Sequence, residues 1–171
     1  MRSLAKEVIT DAAVIAGVAV DAVMDRPEGI SSILLPTPRL ELETVGEELE
    51  TDGALFARLQ EAGAAVATHR FRTHRVVLRV RVVLRAIGDE AMDRLYRTFV
   101  TSLPVRVADS GGNLVTVSVE KAVRGGFATK MVEVAKERSA TVYITFKGGL
   151  YRDDEVPLIT DVNLVDGANY Q

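Results

Sequence analysis

The chain reads as an α+β fold: a mostly antiparallel β-sheet with an N-terminal helix and a second helix, at about 90–103, packed on one face. Three observations predict it. The stretch His74 to Ala86, HRVVLRVRVVLRA, alternates apolar and polar side chains along its length, the period of a half-buried strand. Two other stretches carry a helical period. After residue 104 strand-like segments follow one another without intervening helices, which excludes a doubly wound parallel sheet.

Taken in order, Ser3 to Asp25 reads as the first helix. Leu4, Val8, Ala12, Ile15, Ala19 and Val23 recur at three- and four-residue spacing, with Ser3 as N-cap and Pro27 and Gly29 as the stop. Residues 30–38, with Pro36 and Pro38, are extended. A strand from Arg39 to Val45 turns Leu40 and Leu42 inward and Arg39, Glu41 and Glu43 outward, and Gly46 closes it. Residues 47–69, broken by Gly53 and Gly63, read as a flexible or extended loop with a short helix near 53–61.

The strand from Phe71 to Ile87 places Val76, Leu78, Val80, Val82, Leu84 and Ala86 on one face. At about 3.3 Å per residue the alternating stretch alone reaches about 40 Å, beyond the core of a small domain. Asp89 is the expected N-cap of the second helix. Met92, Leu95, Tyr96, Phe99, Val100 and Leu103 form its apolar stripe, and Pro104 stops it. Val105–Ala108 is extended, and Asp109–Asn113 is a turn by composition. Leu114–Glu120 is a strand, followed by a break at Arg124–Gly126. Residues 129–136 fit a strand or a helix. Ala140–Lys147 is a strand with Ala140, Val142, Ile144 and Phe146 inward and Thr141, Tyr143 and Thr145 outward. Gly148 and Gly149 turn the chain, 156–165 is a last strand, and 166–171 is a loose tail.

The 171 residues and 47% hydrophobic content suit one domain spanning 1–171. The net charge of −3 argues against a general nucleic-acid binder. With no cysteine, disulfides and thiolate chemistry are excluded. No apolar run reaches a membrane span, and Glu7, Asp11 and Asp21 interrupt the N-terminal stretch, so no signal peptide is expected.

Catalytic motifs are lacking. His69 and His74 alternate to opposite faces of a strand, which does not make a metal site. Asp153, Asp154, Glu155 and Asp161 lack the spacing of a calcium loop and read as a solvated turn. No nucleophile stands in a recognised constellation. The expectation is a non-enzyme with no cofactor and no metal.

Charge segregation is the remaining functional signal. Arg75, Arg79, Arg81 and Arg85 line the outer face of the long strand, and Glu41 and Glu43 the outer face of the preceding one. These six are the candidate subunit or partner interface, with the acidic and basic rows meeting within one subunit or between two. A nucleic-acid-binding accessory protein using the arginine-rich strand 75–85 is the alternative, although that face lacks the aromatic residues of a single-strand binder.

The order of elements carries a resemblance. A leading helix comes before LLPTPRLELE at 34–43. A long strand and a helix ending TFVTSLP at 98–104 follow, then NLVTVSVE at 113–120, ATVYITFKGGLYRD at 140–153 and VPLITDVNL at 156–164. This resembles the tail-terminator and tail-completion proteins of tailed bacteriophages and related contractile particles. The resemblance implies a structural virion protein, assembled in the host cytoplasm. It implies a homo-oligomeric ring, usually a hexamer, at the head-proximal end of the tail. Such a ring caps the tail tube, ends its polymerisation, contacts the tube, sheath and neck or connector proteins, and meets DNA only as it passes through the lumen. Heterologous contacts around a closed ring need two complementary patches per subunit, and the glutamate and arginine rows are candidates.

Overall fold

The computed structural model describes residues 1–25, 36–59, 65–125 and 137–157. The elements are α1 (Arg2–Ile15), a short 3-10 turn (Val20–Ala22), β1 (Val23–Asp25), β2 (Arg39–Leu59), β3 (Val66–Ile87), α2 (Asp89–Ser102), β4 (Arg106–Ala108), β5 (Leu114–Gly125) and β6 (Glu137–Pro157). The six strands form one sheet in the order β1-β2-β3-β6-β5-β4. The fold is α+β, as the alternation and the two helical stripes predict. β5 is antiparallel to β4 and to β6, while β1 runs parallel to β2.

Two compact units divide the chain. Unit 1 comprises Met1–Glu50 and Arg75–Gly149; unit 2 comprises Thr51–His74 and the residues from Leu150 onward. β2, β3 and β6 each contribute residues to both.

Unit 1 holds the core. α1 buries Ala5, Val8, Ile9, Ala12 and Ala13, a stripe of mostly small side chains that lets a helix lie close to its neighbours. α2 buries Met92, Leu95 and Phe99, with Tyr96, Val100 and Leu103 half-buried beside them. These side chains form one cluster with Leu40 and Leu42 of β2, Leu78, Val80, Val82, Leu84 and Ala86 of β3, Val115 and Val117 of β5, and Ala140, Val142, Ile144 and Phe146 of β6. The strand residues alternate, so they share one sheet face, and both helices pack on it. Each large apolar side chain so buried contributes about 1.5–3 kcal/mol.

The first helix is shorter than its apolar pattern predicts. It ends at Ile15 because Gly17 takes φ +90°. The N–H of Gly17 donates to Val14 O at 3.0 Å and the N–H of Val18 to Ala13 O at 2.9 Å, the paired bonds of a Schellman cap. Val18, only 2% exposed, packs behind the cap. Ile15, assigned inward by the longer helix, is instead 65% exposed. Residues after the cap enter a 3-10 turn and then β1. The N-cap positions also differ. Met1 precedes α1 and Gly88 precedes α2, neither with a side-chain cap.

The predicted loop at 47–69 is a correction. β2 runs through Gly46 and Gly53 to Leu59, and β3 begins at Val66; no helix forms at 53–59. Gly148 and Gly149 likewise do not turn the chain, because β6 passes through them to Pro157. Glycine weakens a strand without ending it when flanking residues keep their ladder bonds. Gly148 has a packing reason as well. A Cβ there would stand 2.6 Å from Met1 Cε and 3.1 Å from Val115 Cγ2. β5 continues past Glu120 to Gly125 with a register shift between Val119 and Lys121, a β-bulge.

Val105–Ala108 and the 109–113 turn form as expected. Asp109 Oδ1 accepts from the N–H groups of Gly111 and Asn113 at 2.9 and 2.8 Å. The expectations for 26–35, 129–136 and 158–171 lie outside the described residues.

Candidate functional site

The polar face of the sheet in unit 1 carries the charged side chains, and strand pairing decides which meet. Glu41 pairs with Arg85 at 2.7 Å, Glu43 with Arg81 at 3.0 Å and Glu48 with Arg79 at 2.5 Å. As numbers rise along β2 they fall along β3, so these neighbouring strands run antiparallel. The acidic and basic rows therefore meet within one chain. Arg75 is exposed at the edge of unit 1.

The inner end of this face differs from its sequence reading. Arg39 and Glu41, assigned outward, are 0% and 5% exposed, and Glu137 is 5% exposed. Arg39 grips Glu137 with two bonds, Nη1 to Oε2 at 3.1 Å and Nη2 to Oε1 at 2.8 Å. Its Nε donates to Glu41 Oε1 at 3.2 Å. Arg85 bridges the same two carboxylates, Nε to Glu41 Oε1 at 2.7 Å and Nη1 to Glu137 Oε1 at 3.1 Å. Each arginine lies between two carboxylates and each carboxylate between two arginines. The closed square is neutral and ties β2, β3 and β6 at one level. The planar guanidinium fork makes this possible, since a lysine offers no matching bidentate geometry. Thr145, also assigned outward, is buried.

Charge is less enclosed further along the strands. Arg79 and Glu48 are 41% and 65% exposed in their side chains. Hydrogen bonding to Glu48, with its charge, holds the Arg79 guanidinium above its ordinary pKa. At the start of α2, the bond from Arg138 holds Asp89 below the usual carboxylate range. Burial pushes Asp109 up, but the Asn113 N–H and side-chain amide and the Gly111 N–H outweigh it and leave the group lowered.

Unit 2 has a cluster of its own. Arg72 pairs with Asp52 at 2.5 Å and lies over the Phe56 ring, 5.8 Å from its centroid. Phe56 also meets Tyr151, with centroids 5.0 Å apart. Arg70 grips Asp153 through two nitrogens at 2.7 and 2.6 Å, and this bond holds Asp153 below the usual range. In the same unit large apolar side chains meet solvent: Leu55 is 55% exposed, Phe56 51% and Leu59 50%. Ala67 is the buried apolar residue among the described residues of this unit.

The two histidines serve local contacts. His69 meets the edge of Phe71 at 6.3 Å, and His74 Nδ1 lies 3.2 Å from Thr73 Oγ1. Asp153 and Asp154 pair with Arg70 and Arg152; Asp161 lies outside the described residues. Among the described residues no group of three His, Cys, Asp or Glu side chains could hold a metal ion. A pocket of about 260 Å³ in unit 1 is lined by Ala16, Pro38, Ala86, Ile87, Leu95 and Arg94, among others. Arg94, its charged member, pairs with Glu90 at 3.3 Å. No described helix is long and apolar enough to cross a membrane.

Of the six candidate residues, the structure brings Glu41 to Arg85 and Glu43 to Arg81. Arg39, Glu48 and Glu137 belong with them but were not singled out from sequence. Arg39 was legible in part, since alternation places it on the face of Glu41. Glu137 had no such signal, because it stands at the very start of its strand. Neither the family models nor the curated proteins compared with the chain match it.

Proposed function

We propose that the protein is a structural ring subunit that caps a phage tail tube at its head-proximal end, ends tube polymerisation and joins the tube to the neck. The element order described above supports the phage part of this reading. The observation that carries the assembly part is the make-up of unit 2. Its long strands bury Ala67 but leave Leu55, Phe56, Leu59, Val66 and Leu150 exposed, each 40% or more. Large apolar side chains left exposed in this number, beside a single buried one, favour a protein–protein contact. Strands of 21, 22 and 21 residues extend far beyond what two 14-residue helices cover, which suits a subunit completed by neighbours.

The arginines of 75–85 favour this reading over nucleic-acid binding. Arg79, Arg81 and Arg85 already have carboxylate partners within the chain, so a phosphate would compete for each. In the ring, DNA is a passenger in the lumen and the virion tail is the location. Negative-stain micrographs of the purified protein test the proposal. Rings with a central hole are expected, and their addition to a growing tail tube stops its extension. Isolated protomers at every concentration, with no effect on tube length, contradict it.

A further inference from the structure

We propose that a second copy of this chain docks on unit 1, the outer stripe of α1 in one copy lying on the bare sheet face of β4, β5 and β6 in the next. This rests on the ring reading and gives it a subunit contact within unit 1. Two observations carry it. First, both surfaces hold charges that no group inside the chain neutralises. On α1, Arg2 and Lys6 are engaged by Glu47 and Asp25. Glu7 and Asp11, exposed and about one turn apart, have no ion-pair partner among the described residues. On the sheet, the register sets Arg106 beside Thr116, Thr116 beside Lys147, and Lys121 beside Tyr143. Tyr143, Thr145 and Lys147 alternate with the core residues Ile144 and Phe146, so these side chains face away from the helices. Arg106, Lys121 and Lys147 are exposed and likewise unpaired. The neighbouring Glu120 interacts electrostatically with Arg79.

Second, apolar side chains left in solvent border each set of charges. Val14 and Ile15, 44% and 65% exposed, continue the stripe of Glu7 and Asp11 at helical spacing. On the sheet, Leu114 stands opposite Ala108 and Val123 opposite Thr141. Both lie on the face of the lysines, 60% and 42% exposed. Phosphates would gain nothing from these two side chains, which favours a protein over a nucleic acid as the occupant. α1 and α2 pack on the opposite sheet face, and a helix laid on a bare sheet face is a stable layer arrangement. The stripe of α1 and the bare face of the sheet look in opposite directions from unit 1. Like charges oppose helix-on-helix and sheet-on-sheet contact between copies. The contact is therefore heterologous, and a heterologous contact with a closing rotation makes a ring.

Charge reversal tests the contact by complementation. One variant carries Glu7→Lys with Asp11→Lys, the other Lys121→Glu with Lys147→Glu. At concentrations where the unaltered chain assembles, each variant alone is expected to show the protomer mass by light scattering. Mixing the two restores the multiple, because each reversed surface then meets its opposite, and no misfolded variant would do this. Where a reversed variant fails to fold, a cysteine pair decides, since the chain has no cysteine of its own. Asp11→Cys protein mixed with Lys147→Cys protein and a short bismaleimide gives a covalent dimer, and neither variant alone does. A mass of several protomers for both reversed variants, or no cross-link in the mixture, overturns this contact and leaves the ring reading standing. Duplex DNA retained by the unaltered chain and lost by the Lys121→Glu, Lys147→Glu variant, with assembly unchanged, assigns the sheet face to phosphates and also overturns it. A protomer mass for the unaltered chain at all concentrations overturns both.

Discussion

Unit 1 and unit 2 share three strands and differ in what holds them. In unit 1 two helices cover one sheet face, and the buried side chains of α1, α2, β2, β3, β5 and β6 form a single cluster. In unit 2 the described contacts are ion pairs and ring contacts, Phe56 with Tyr151 and His69 with Phe71, while large apolar side chains stay in water. Alternation alone does not distinguish them. The difference lies in what is laid over the strands: one region shares a core cluster, and the other leaves its large apolar side chains exposed.

The comparison breaks most sharply in the core and at the buried charge square. Phe99→Ala removes a side chain with no exposed surface and is expected to lower unfolding free energy by about 3–5 kcal/mol, measured by urea titration. Arg39→Met leaves two enclosed carboxylates sharing one arginine, Arg85, and is expected to cost a similar amount, about 3–5 kcal/mol. In the double variant Arg39→Met with Glu137→Leu, charge balances again between Glu41 and Arg85. Much of the loss is recovered, and a double-mutant cycle reads the coupling. A strictly additive result would mean that the square is not a unit.

A smaller effect is expected at the end of α1. Gly17→Ala forces a side chain into a positive-φ position with open space around it, so strain alone acts, at about 1–2 kcal/mol. The thermal midpoint falls without any change in assembly.

How much of this was legible follows from which forces the sequence records. β3, α2 and the inner half of β6 were legible because apolar spacing reports the face that meets the core. The outer halves of β2 and β6 were not, nor was the start of β3 before Phe71. Gly46, Gly53, Gly148 and Gly149 read as punctuation, yet the paired strands carry β2 and β6 through them. The end of α1 was missed because its apolar spacing continues past Gly17, where the backbone conformation decides. The burial of Arg39 and Glu41 was illegible for another reason: alternation says which face a residue takes, not whether that face is covered.

Acid weakens both units. Asp89, Asp109 and Asp153 have carboxyls held below their unfolded values, so the unfolded chain binds protons first as pH falls. Their contribution is complete above the ordinary Asp value of about 3.9 and is lost as pH drops through the lowered folded values. Protection factors from hydrogen exchange should be flat from neutral pH to about 5 and fall below about 4. In unit 2 this shows along the segments joined by Arg70 and Asp153.

Smallest in stability is Leu55→Ser combined with Leu59→Ser. Both sites are half exposed, so the protomer's unfolding free energy should shift by about 0.5 kcal/mol or less per site. Assembly, by contrast, should suffer, and this separates folding from partnership. The most direct measurement is therefore the light-scattering mass of the unaltered protein and of this double variant, side by side over a concentration series. The account predicts a fixed multiple of the protomer mass for the unaltered chain, and a shift toward the protomer for the variant at an unchanged thermal midpoint. A protomer mass for both proteins throughout would contradict it.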